Sequence, residues 1–350
     1  LYQVRSEVCR ARLDEGFRHD AEALVRAALT VGKDNPRAKA MADAAGPFDD
    51  AALERLRHDV RVRAARGGSR ELERRTVEEA VAWAETRRDP RAGAMQALWR
   101  ARLEYREGAF ERSAELAEEA ARAETWATAA MGAMWYAAGS WLEAFEFERA
   151  RSLAREARAL AERGRHPLHE ARAELVERMA LYRLGELTEP DEEWVDLVAD
   201  LGVAPLEASA ALNEAAVAWR AGRQDVAARL AARAEQHWRS MRHVHPADLA
   251  RCLSLACGTS ARPGEAGELA ARALGCDIAG LGVQSLALLV VSGVAAREAL
   301  ADAVVEQGGL VPRARWDDRA DVLSVREALA LAGVAGVQEW ETGAAHSART

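Results

Sequence analysis

Lysine is almost missing from this 350-residue chain: Lys33 and Lys39 are the only two, and every other basic residue is Arg. Arg offers a planar fork of donors where Lys offers a point charge. A GC-rich codon bias accounts for the skew, so no functional demand is read into it. Cysteine is scarce as well. Cys9, Cys252, Cys257 and Cys276 form no C-x-x-C pair and lie scattered along apolar helical faces. That pattern fits buried free thiols in a reducing cytoplasm. A five-residue gap on a helix points Cys252 and Cys257 apart, which argues against a zinc site built on them. Long apolar runs are also lacking. The longest, "LALLVVSGVAA" over 286–296, is broken by Ser292 and Gly293 and falls short of the ~18–20 residues a membrane span needs. No basic n-region followed by an apolar stretch opens the chain, so no signal peptide is expected.

Strand patterns are missing too, since Val and Ile are sparse before residue 281 and strict alternation does not occur. Neither the P-loop, G-x-G-x-x-G, G-x-S-x-G nor H-E-x-x-H is present, and with them go the common nucleotide-binding, hydrolase and zinc-protease chemistries. No cofactor, metal or enzyme activity is expected. Net charge is −8, the wrong sign for a phosphate-binding face, so direct nucleic-acid binding is not expected either. The first residue is Leu1 rather than Met, and the chain is read as a fragment or a processed form.

What is abundant is Ala, Leu, Glu and Arg, all strong helix formers. In "AFERSAELAEEAARA" over 109–123, Phe110, Ala114, Leu116, Ala117, Ala120 and Ala121 make one apolar stripe at helical spacing, with Glu and Arg opposite. Helix after helix is cut by Gly or Pro. Gly16, Gly67–Gly68, Gly108, Phe145, Gly185, Gly222 and Gly264 mark the turns, and from Gly108 onward they are spaced 37, 40, 37 and 42 residues apart. A period of that size with two helices per repeat indicates a hairpin solenoid.

Each turn has the same surroundings. Ala97 and Ala101 precede Gly108, and Ser113, Ala117 and Ala120 follow it; Ala211 and Ala215 precede Gly222, and Ala227, Ala231 and Ala234 follow it. Around Phe145 stand Ala138, Ala150, Ala154 and Ala157, and around Gly16 stand Cys9, Ala21, Val25 and Ala28. Small residues let the two helices close to near backbone contact, a large residue such as Phe110 or Phe147 plugs the gap, and Gly supplies the left-handed turn.

These positions resemble the tetratricopeptide repeat (TPR) superfamily, in the degenerate form found in bacterial regulators. The resemblance covers residues 1–275, and is best at 93–125, 130–160 and 207–240. The repeat at 170–203 departs from it, with Pro190 where the second helix wants its first Ala. The implied fold is all-α, a right-handed superhelical solenoid of roughly seven TPR-like hairpins. Residues 1–279 are assigned to the array, 280–309 to a degenerate or capping helix pair, 310–341 to a C-terminal amphipathic segment and 342–350 to a frayed tail.

Three tetrads stand out: "YREG" at 105–108, "YRLG" at 182–185 and "WRAG" at 219–222. Their glycines end helices, their aromatics can pack on a neighbouring repeat, and their arginines meet the negative end of the helix dipole. In TPR-like proteins the first helix of each hairpin lines the concave wall. The resemblance therefore implies a groove of aromatics and Arg suited to an acidic or carboxylate-bearing peptide. The candidate contacts are Tyr105, Arg106, Trp135, Tyr182, Arg183, Trp219 and Arg220, with Arg102 and Arg172 near the same wall; Glu143 interrupts the Arg series. "WATAAMGAMWYAAGSWLEAFEF" over 126–147 holds Trp126, Trp135, Tyr136, Trp141, Phe145 and Phe147 between small residues, which suits either core packing or a binding hot spot. "RHPLHE" at 165–170 and "RHVHPAD" at 242–248 read as helix starts, not as metal ligands. "LSVREALALAGV" at 323–334 looks like the opening of a helix-turn-helix, but no basic recognition helix follows it.

The resemblance implies a cytoplasmic, non-enzymatic scaffold that binds a protein or peptide on its concave face, with no membrane partner. The alternative is the regulatory or sensor arm of a larger bacterial signal-transduction ATPase or transcriptional activator, responding to a small-molecule inducer.

Overall fold

The computed structural model describes residues 70–86, 90–124, 127–241, 243–275 and 281–293, with isolated positions at 58, 61, 62, 295, 300 and 330. The turn markers Gly16 and Gly67–Gly68, Trp126, Cys9 and Cys276, the segments 310–341 and 342–350, and the stretch 323–334 (residue 330 apart) lie outside the described residues. Every regular element among the described residues is a helix. In chain order they are α1 (Arg70–Glu85), α2 (Pro90–Arg106), α3 (Phe110–Ala123), α4 (Ala127–Glu143), α5 (Phe147–Arg163), α6 (Pro167–Leu184), α7 (Glu192–Asp200), α8 (Ala204–Arg220), α9 (Gln224–Ser240), α10 (Val244–Ala256), α11 (Glu265–Leu274) and α12 (Leu281–Val291). None of them is long and apolar enough to cross a membrane. The chain forms two compact units, Leu1–Glu177 and Arg178–Thr350, with the boundary falling within the residues of α6.

The expected turns form by one repeated backbone device. At Gly108 the amide donates to Tyr105 O, and the next amide, Ala109, reaches back to Glu104 O at 2.9 Å. The same pair closes Phe145 and Glu146 on Leu142 and Trp141, Gly185 and Glu186 on Tyr182 and Leu181, and Gly222 and Arg223 on Trp219 and Ala218. Such a closure needs a residue with positive φ, and φ is 83° at Gly108. Phe145 holds the same place at φ 63°, where a side chain costs ~1–2 kcal/mol. It lies with its ring centroid 5.7 Å from that of Phe147.

Small residues let the helices approach. In the first unit Ala101, Leu116, Ala117 and Ala137 form one buried cluster, and Ala97, Ala120 and Ala133 form the next, so α2, α3 and α4 meet on alanine. Ser113 is buried in this seam without penalty. Its hydroxyl donates to Ala101 O at 2.7 Å and lies 3.0 Å from the Ser140 hydroxyl, which in turn donates to Tyr136 O. In the second unit Ala211, Ala215, Ala227, Ala231 and Ala234 are all fully buried, making the α8–α9 hairpin from the same small residues.

The repeat containing Pro190 has an unusually short second helix. α7 spans only nine residues and starts after the proline, with Asp191 as its N-cap accepting from the Trp194 amide at 2.9 Å. Proline has no amide to offer a helix interior, so the helix begins beyond it.

Arginine ties neighbouring helices together. Arg74 reaches Glu107 at 2.8 Å, Arg149 reaches Glu118 at 2.9 Å, Arg178 reaches Glu214 at 2.8 Å and Arg229 reaches Glu192 at 3.0 Å. The exposed members contribute little individually. Glu214 is different, being fully buried. Arg178 grips both its oxygens, and Asn213 and the Asp191 amide donate to it as well. The guanidinium of Arg178 also lies 4.7 Å from the Trp194 ring centroid. This network fixes the start of α7 against α8.

Candidate binding face

The residues expected to form a groove lie at the ends or middles of first helices, and the structure treats them unequally. In the first unit Tyr105 closes α2 edge-on to Phe110, with centroids 5.1 Å apart, and lies 5.9 Å from Tyr136 of α4. This aromatic packs against the following repeat. Arg106 faces back toward α1, where its Nε is 3.5 Å from an oxygen of buried Glu73. Trp135 is half-buried in the middle of α4, packed beside Ala138, Ala154 and Val176. Its indole Nε1 is buried without a hydrogen-bond partner, and the Arg172 guanidinium stands 5.4 Å from its ring centroid.

In the second unit Tyr182 is 1% exposed and Arg183 6% exposed, too buried to present a contact surface without rearrangement. Trp219 is half-buried at the end of α8, with the guanidinium of its neighbour Arg220 5.5 Å from its ring. The accessible part of the expected set is thus Tyr105, Arg106, Trp135, Trp219 and Arg220.

The aromatic cluster of 126–147 also divides. Trp141 and Phe147 are core. The Trp141 indole donates to Glu118 at 2.6 Å while Arg149 covers its ring at 3.7 Å, so every polar edge there is used. Trp135, Tyr136 and Phe145 remain half-buried.

One arrangement is not evident from the tetrads. Gly132, one turn before Trp135, sits in the interior of α4, and a methyl built on it would meet only Cε1 of His169, at 4.0 Å. Gly139, two turns further on, has nothing within that range. Both glycines therefore leave open space on a helix that would be more stable with alanine. α4 carries no charged side chain between Ala127 and Leu142. Opposite it, α6 brings His169 and Arg172, both half-buried. Two of the three acids of α6 pair with α5: Glu174 with Arg158, and Glu177 with Arg155 at 2.6 Å and with Arg158. The signal in the sequence was a mid-helix glycine with no turn to make.

Other candidate chemistry is absorbed structurally. Asp248 is buried and gripped by Arg272 at 2.6 Å, with Arg239 at 3.5 Å. His243 stacks edge-on to Trp238. Glu265 accepts from Arg251 and from the side chain and amide of Arg262, and these bonds, Arg251 first, hold its carboxyl down at about 2. Cys252 is buried and Cys257 half-buried, both free; burial pushes their thiols up to about 12 and about 11. Among the described residues no three His, Cys, Asp or Glu side chains converge as a metal site would require.

No family model and no curated protein matches the sequence. Solved structures do share the fold, among them the following two. The aspartyl phosphate phosphatase F from Bacillus subtilis is 11% identical, with a TM-score of 0.50 over 79% of this chain and 76% of its own. A Rap protein in complex with the competence and sporulation factor is 12% identical, with a TM-score of 0.56 over 84% of this chain and 86% of its own. Both neighbours are TPR-like helical repeat proteins, and the present chain has that all-helical repeat fold.

Proposed function

We propose that this chain is a non-enzymatic scaffold that binds a peptide or protein segment along the first helices of its hairpins, within the cytoplasm. The observation that carries this reading is the α4 face: uncharged, opened by Gly132 and Gly139, and bordered by Trp135 and Arg172. Half-exposed aromatics beside Arg are the usual anchors of a protein interface. A precedent for the frame exists, since a neighbour of the same fold holds the competence and sporulation factor. Residues 280–309 would then cap the array.

The name of the other neighbour raises catalysis as the competing reading. The buried carboxylates of the described residues, Glu73, Glu177, Glu207, Glu214, Asp248 and Glu265, each face Arg. This favours binding over turnover.

The test is affinity capture from lysate with the intact chain, a Trp135→Ala variant and an Arg106→Glu/Arg220→Glu variant. A partner retained by the intact chain and lost by Trp135→Ala is expected. Equal recovery by all three removes the groove. Hydrolysis of acetyl phosphate or of a phosphorylated receiver domain by the purified chain overturns the non-enzymatic reading.

A further inference from the structure

We draw no further inference here: the strongest candidate, the outer face of α7, where Leu197 is 66% exposed between the exposed acids Glu193 and Asp200, carries none, because nothing in the structure shows what covers it.

Discussion

α4 and α8 are the same architectural piece made with opposite chemistry. Each is a seventeen-residue first helix that packs on alanine. α4 has no charged side chain before Glu143, and its buried Ser140 is satisfied by backbone and by Ser113. α8 buries Glu207, Asn213 and Glu214, each of the two acids answered by Arg from another element. The contrast shows two ways to hold a helix in a repeat. A buried ion pair pins one side-chain register and fills its surroundings with hydrogen bonds. An uncharged helix relies on close packing and leaves the surroundings of Gly132 and Gly139 uncrowded.

The difference can be broken most sharply at Glu214. Glu214→Ala takes away the buried acid that Arg178 grips through both oxygens, and loss of one member of a buried pair costs ~3–5 kcal/mol. Chemical unfolding followed by hydrogen exchange should show the loss concentrated in α7 and α8. Adding Arg178→Met should recover much of it, since an apolar replacement of the whole pair is tolerated better than half of one. A change in stability below ~1 kcal/mol would mean that the ions do not pin α8.

A packing pair comes next. Ala215→Leu should destabilise by ~1–3 kcal/mol, because the site is fully buried among helices already in contact. Gly139→Ala should stabilise by ~0.5–1 kcal/mol, because the added methyl meets nothing. Urea titration of the two variants reads both signs, and equal destabilisation would contradict the open face on α4.

Acid sharpens the comparison further. The Glu265 carboxyl has its folded-state value lowered to about 2 from its usual 4.5, chiefly by Arg251. The folded state thus binds its proton less readily than the unfolded chain does. Its stabilising contribution is complete above the unfolded value and fades as pH falls from about 4.5 through about 2. Hydrogen exchange at falling pH should open α10 and α11 before α3 and α4. Replacing Glu265 by Gln should flatten that part of the profile.

The smallest effect is on thiol reactivity. Burial raises Cys252 to about 12 and Cys257 to about 11, so at neutral pH neither supplies much thiolate. Iodoacetamide labelling mapped by mass spectrometry should be slow at both in the folded chain and fast in urea. Cys252 should be the slower of the two.

How much of this was legible in sequence depends on the range of each interaction. Gly108, Ala117 and Ala231 announced themselves because a helix stop and a small packing site are local properties, repeated at a steady interval. Arg178 and Glu214 lie 36 residues apart, and nothing in either segment indicates that the two side chains meet. The arginine excess, readable as codon bias, also supplies the forks that span neighbouring helices. Tyr182 and Arg183 match Tyr105 and Arg106 in sequence, yet they are buried where the earlier pair is not. Spacing along a helix does not say how closely the next element covers it. Gly132 was visible as a letter, but its meaning needed the position of His169.

The closure at Gly108, Phe145, Gly185 and Gly222 is made entirely by main-chain groups. The information needed to end one helix and begin the next is accordingly small: one residue able to take a positive φ, and small side chains a turn or two away on either side. Most other letters remain unassigned by the frame. A repeat specified so sparsely can share its form with a distant protein at 11–12% identity, and its unassigned positions are free to differ without changing that form.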